Sequence, residues 1–148
     1  MSELRIEKTP LRVRLLLAEG GSLEATLFLA AQSPLHSGAQ TVAELMSEGD
    51  RMLPFHDPAG QFLLLGKAGV AALTIADQEP TADELLEKIP VSLRMAGGHL
   101  LRGHYLAEKG AGTRLSDALN ADDPWFRLEY SGSLAWVSKN HLVTVEPG

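Results

Sequence analysis

Val13-Arg14-Leu15-Leu16-Leu17-Ala18, continued by Leu23-Glu24-Ala25-Thr26-Leu27, lies over Val91-Ser92-Leu93-Arg94-Met95-Ala96, continued by Leu101-Arg102-Gly103-His104-Tyr105, at one constant offset and without a gap. The correspondence then shifts by a few residues. Val42-Ala43-Glu44-Leu45-Met46-Ser47 falls on Leu115-Ser116-Asp117-Ala118-Leu119-Asn120, and Leu65-Gly66-Lys67 on Val137-Ser138-Lys139. Self-similarity at one long period means one supersecondary module written twice. Residues 10–75 form the first repeat, 76–87 a connector and 88–147 the second repeat. Units of about sixty residues are near the lower limit for a self-sufficient core, so the copies are expected to pack on each other or on another chain.

Within each repeat the pattern is mostly that of strands. Val91, Leu93 and Met95 alternate with Ser92, Arg94 and Ala96, and Val13, Leu15 and Leu17 repeat that period of two, the mark of a strand with one buried face. Ala18-Glu19-Gly20-Gly21-Ser22 and Ala96-Gly97-Gly98-His99 supply turn chemistry, so each repeat opens with a β-hairpin. Thr41-Val42-Ala43-Glu44 has the spacing of a capping box, which predicts a short helix ended near Gly49. Ser116 to Asn120 predicts its counterpart, with Leu115 and Leu119 on one side. A second hairpin follows, Met52 to His56 and Gln61 to Gly66 around Asp57-Pro58-Ala59-Gly60, or Trp125 to Tyr130 and Leu134 to Lys139 around Ser131-Gly132-Ser133. Val70 to Ile75, or Leu142 to Glu146, closes each set of five strands. In the connector, Thr81-Ala82-Asp83-Glu84 is another capping box, ended by Pro90, and predicts a short acidic helix.

Hydrophobic content of 45% and charged content of 22% are those of an ordinary globular protein. No apolar run reaches the length of a membrane span, and Met1-Ser2-Glu3-Leu4-Arg5 lacks the character of a secretory signal, so a cytoplasmic protein without membrane contact is expected. The absence of cysteine excludes disulfides and thiolate chemistry within the chain. The net charge of −6 is unevenly placed: residues 10–75 carry −2, the connector −5 and residues 88–148 carry +1. Proteins devoted to holding a phosphate backbone usually carry a basic excess. Only a local patch in the second repeat suits such a role.

Two hairpins, a short helix and a closing strand suggest a mainly β protein of two tandem five-stranded SH3/Sm-like barrels, each with a short helical insert. The second repeat resembles the Sm-like small barrels, the Hfq branch among them. Val91-Ser92-Leu93, Gly97-Gly98, Leu101-Arg102-Gly103-His104 and above all Val137-Ser138-Lys139-Asn140-His141-Leu142-Val143-Thr144-Val145-Glu146-Pro147 carry the likeness. The last run is similar to the family's second motif, in which a lysine and a polar residue occupy the turn before the final strand; the family has histidine where this chain has Asn140. The resemblance implies single-stranded RNA binding in a ring-shaped oligomer, with Lys139 and Asn140 inheriting the contacts. The chain also resembles small bacterial β-proteins with an Arg-Leu-Ser-Asp-like segment, here Arg114 to Asp117, which bring no assigned activity.

If Val91, Leu93, Met95, Leu101 and Tyr105 point inward, Arg94, Arg102 and His104 share the outer face. With Trp125, Trp136 and Tyr105 near, such a face meets the requirement for holding phosphates and stacking bases. In the first repeat the same positions are Leu16, Glu24 and Thr26, followed by Phe28, and an apolar outward face marks a packing surface. Leu16 and Phe28 are therefore the interface candidates. His36, His56, His99, His104 and His141 lack the spacing that aims two imidazoles at one metal. Ser116-Asp117 is a cap rather than part of a triad, and Gly110-Ala111-Gly112-Thr113 lacks the context of a phosphate loop. The sequence thus predicts a non-enzymatic binding or scaffolding module with no cofactor and no metal. Its partner is expected to be another protein or a second copy. The alternative is weak RNA binding through Arg94, Arg102, His104, Lys139 and Asn140.

Overall fold

A computed structural model describes residues 8–31, 33, 40–75, 86–108 and 114–148. The first repeat consists of β1 (Lys8–Leu17), β2 (Ser22–Ala30), α1 (Val42–Ser47), β3 (Met52–His56), β4 (Phe62–Gly66) and β5 (Val70–Ile75). The second consists of β6 (Leu86–Met95), β7 (Leu100–Glu108), α2 (Leu115–Asn120), β8 (Trp125–Tyr130), β9 (Ser133–Ser138) and β10 (Leu142–Pro147). One-turn 3-10 helices precede both closing strands, at Lys67–Gly69 and Lys139–His141. The chain is mainly β, as the alternation of apolar residues predicts. The acidic helix expected over 76–87 lies outside the described residues, apart from Leu86 and Glu87, which already belong to β6.

Local signals set the elements. Thr41 and Glu44 make the capping box in full: the Thr41 hydroxyl accepts from the Glu44 N–H at 3.1 Å, and the Glu44 carboxylate accepts from the Thr41 N–H at 3.2 Å. Asp57 Oδ1 accepts from the N–H groups of Ala59 and Gln61, holding the β3–β4 turn. Ser131 and Gly132 both have positive φ, the conformation that a two-residue hairpin loop between β8 and β9 requires.

The two repeats share one sheet. Among the described residues, ten antiparallel strands make one sheet in the order β10-β6-β7-β8-β9-β5-β1-β2-β3-β4, which is not closed on itself. Each half runs fifth, first, second, third, fourth, and the halves join where β5 pairs with β9 through Ala72↔Val137, Leu73↔Trp136, Thr74↔Ala135 and Ile75↔Leu134. The physical reason lies in β5. Val70, Ala71, Ala72, Leu73 and Ile75 are all buried, a run too apolar for an edge. It pairs on both sides and is covered on both faces.

Two cores result, and each borrows from the other repeat. The first gathers Val13, Leu15, Leu27, Leu53, Phe55, Leu73 and Ile75 with α1 and takes in Leu106 and Leu134. The second gathers Val91, Leu93, Met95, Phe126, Leu128 and Val137 and takes in Ala71 and Ala72. Two glycines mark close backbone approaches. A Cβ on Gly97 would lie 2.6 Å from the Leu17 carbonyl oxygen, so the β6–β7 turn reaches the first repeat only without a side chain. A Cβ on Gly103 would lie 2.1 Å from the Glu129 carbonyl oxygen, where β7 crosses onto β8.

Gly103→Ala should therefore lower the unfolding free energy by about 1–3 kcal/mol or more, measured by chemical denaturation. Gly69→Ala, with open space around it, should change it little.

Candidate functional site

The two lysine turns perform the same structural task. Lys67 Nζ donates to the carbonyls of Leu45 at 2.8 Å and Glu48 at 3.3 Å, the last turn and cap of α1. Lys139 Nζ donates to Ala118 at 2.8 Å and Ala121 at 3.2 Å, the same places on α2. A helix end leaves carbonyls without intrahelical partners, and a lysine ammonium can satisfy two at once. The next residue, Asn140, is exposed. It lines a recess between the repeats together with Met46, Lys67, Trp125 and His141, where His141 Nε2 lies 2.7 Å from the Ala68 carbonyl oxygen.

The outer face of the β6–β7 hairpin is as expected. The register Arg94↔Leu100, Ser92↔Arg102, Pro90↔His104 puts Arg94, Arg102 and His104 on one side. Arg94 and Arg102 line a shallow concavity with Ser92, Leu100, Thr144 and Glu146, and neither forms an ion pair among the described residues. His104 Nδ1 is 3.9 Å from Glu129 Oε1, while Lys88 Nζ is 2.8 Å from Oε2 of the same carboxylate. The sequence reading left Lys88 out. The predicted set is therefore divided: Arg94 and Arg102 stand together, His104 sits beside Glu129, and Lys139 with Asn140 belongs to a different recess. Trp125 and Trp136 pack against the first core. Tyr105 is tilted against Phe126 at 5.4 Å; burial, with help from Asp123 and against Arg127, pushes its phenol above the ordinary value of 10.0.

On the first repeat, Leu16, Glu24, Thr26 and Phe28 do share a face, but Arg12 and Arg14 share it with them, through Leu16↔Ser22, Arg14↔Glu24, Arg12↔Thr26 and Pro10↔Phe28. Arg14 is bound to Glu24 at 2.6 Å. The contrast between an apolar and a basic face is thus smaller than the two aligned hairpins suggest. Leu16 is half-buried against the second core, so within the chain it meets the other repeat. Phe28 stands edge-on to His56 at 4.9 Å, and His56 edge-on to Phe62 at 6.1 Å.

That aromatic row opens onto the most exposed apolar surface of the first repeat. Pairing of Met52↔Gly66, Pro54↔Leu64 and His56↔Phe62 places Met52, Pro54, His56, Phe62 and Leu64 on one outer face of β3 and β4, and Met52, Phe62 and Leu64 are all exposed. The signal in the sequence was the unbroken run Phe62-Leu63-Leu64-Leu65. Such a run reads as a strand buried on both sides, and here only the Leu63 and Leu65 side meets the core. Among the described residues, no group of three His, Asp or Glu side chains converges as metal ligands would. No helix among them is long and apolar enough to cross a membrane.

No protein-family model, no curated protein and no solved structure matches this chain.

Lys139→Met and Lys67→Met should each lower stability by about 1–2 kcal/mol through loss of charge-assisted hydrogen bonds, read in thermal or chemical unfolding. An unchanged unfolding curve for both would remove the capping role.

Proposed function

We propose that the protein is a non-enzymatic scaffolding module that engages protein partners, with self-assembly through the ends of its sheet as its working mode. The observation that carries this reading is the outer face of β3 and β4. Phe62 is 60% and Leu64 57% exposed at one end of the sheet, continuous with Met52 and, through His56, with Phe28. Contiguous apolar surface next to an unpaired strand edge is costly to leave in water and invites pairing. Each five-stranded half is read as a strongly bent, Sm-like or SH3-like unit, supported by the shared strand order and by the lysine turn before the last strand. A cytoplasmic location belongs to the same reading.

Single-stranded RNA binding through the second repeat is the other reading, favoured by one observation: Arg94 and Arg102 are exposed, adjacent in one concavity and without carboxylate partners among the described residues.

For the scaffolding reading, sedimentation should give a mass above that of a single chain, falling toward the single-chain value in Phe62→Lys/Leu64→Lys. A wild-type protein that sediments as a single chain overturns it. For the RNA reading, oligonucleotide retention should fall steeply with salt and be lost in Arg94→Ala/Arg102→Ala; no retention by the wild type at low salt would exclude it.

A further inference from the structure

The chain contains one finished example of the contact that its two ends lack. At the β5–β9 junction, the fifth strand of one repeat pairs with the fourth strand of the other. Among the described residues, the strands left at the ends of the sheet are β4 and β10, the remaining fourth and fifth. Side chains sealed at the junction have open counterparts there. Leu134 is 3% exposed, and its counterpart Phe62 is 60%. Ala71 is 0% exposed, and its counterpart Val143 is 56%. Trp125 and Trp136, packed on the first core, correspond to Met52 and Leu64, which are bare. The helices agree: Val42, Leu45 and Met46 of α1 are buried, whereas α2 buries none of its residues.

We infer that β4 of one chain pairs antiparallel with β10 of a second copy, head to tail, in the register Phe62↔Pro147, Leu63↔Glu146, Leu64↔Val145 and Leu65↔Thr144. This register transfers the β5–β9 pairing residue by residue onto the free edges. It rests on the scaffolding reading and names its partner.

The backbone supports the register independently. Asp57 N–H donates to the Gln61 carbonyl and Lys67 N–H to that of Arg51. By alternation along an antiparallel pair, the polar groups of Leu63 and Leu65 turn to β3 and those of Phe62 and Leu64 to the open edge. Gly148 N–H donates to the Pro90 carbonyl, which turns the polar groups of Val145 and Pro147 away from β6. The transferred register sets outward groups against outward groups, Leu64 opposite Val145 and Phe62 opposite Pro147; a shift of one residue would set them against groups already paired. Pro147 contributes its carbonyl alone, since it has no N–H, and a proline is tolerated where a strand has an open side. Side chains agree as well: Val145 packs toward the second core, and Phe62 and Leu64 would lie over that core as Leu134 and Trp136 lie over the first.

The chain has no cysteine, so single cysteines report the contact cleanly. Leu63 and Glu146 would be a pair without mutual backbone hydrogen bonds, with Cα atoms about 4.5 Å apart, within the span of a disulfide. Leu63→Cys and Glu146→Cys chains, folded by circular dichroism, are mixed and oxidised. The expected product is a disulfide-linked dimer in the mixture and in neither chain alone. Thr144→Cys mixed with Leu65→Cys should behave alike and serves if one of the first pair fails to fold. Cross-linking of each variant with itself, or none at all in a wild-type protein heavier than a single chain, overturns the head-to-tail contact and leaves the scaffolding reading standing. A wild-type mass equal to that of one chain removes both.

Discussion

Four residue pairs between β5 and β9 hold the molecule together as one body. Without them the chain would be two half-sheets of five strands, each near the lower limit of size for a self-sufficient core. The pairing does more than join backbones. One face of the seam, Leu73, Ile75, Leu134 and Trp136, belongs to the first core, and the other, Ala71, Ala72, Ala135 and Val137, to the second. Opening the seam would expose both cores at once, so the repeats are expected to unfold together. Around it sit smaller fasteners: His99 Nε2 lies 2.8 Å from the Leu17 carbonyl oxygen, and Gly97 lets that turn come close enough.

Duplication explains both what is satisfied and what is left over. A module whose fourth and fifth strands are complementary can be satisfied at only one junction when two copies share a chain; among the described residues the other pair of edges has no partner strand. The same logic separates structural lysines from candidate contacts. Lys67 and Lys139 look like a repeated binding motif in the sequence, yet each ammonium is engaged by the end of its own helix. On the β6–β7 hairpin, the cations without a carboxylate partner among the described residues are Arg94 and Arg102. The contrast between the outer faces of the two repeats is therefore displaced from where aligned hairpins put it. The apolar face lies over β3 and β4 rather than over Leu16, and the first repeat has arginines of its own on its outer hairpin face.

Much of this was legible residue by residue. The capping box at Thr41, the glycine turns, the Ser131-Gly132 hairpin and the alternation of Val91, Leu93 and Met95 all act within a few positions along the chain, and local chemistry decides them. Other features were not legible because they depend on what lies across the sheet. Leu65 and Val137 are aligned residues of the same type, but β4 ends the sheet and β9 does not. Lys88 of β6 reaches Glu129 of β8 across the intervening β7, where Gly103 leaves room for the Glu129 carbonyl.

The sequence by itself determined the mainly β class, the two repeats, nearly all strand and turn positions and the inward set of each hairpin. These follow from period-two hydrophobicity and turn chemistry, which operate over short distances. Tertiary structure alone decided that the repeats share one sheet, that β5 and β9 are the strands that meet, and that β4 and β10 end that sheet among the described residues. The reason is that edge pairing is a competition among strands with nearly equal local propensity. It is settled by which of them can be buried on both faces, and the small alanines and large aliphatic residues of β5 meet that condition opposite β9.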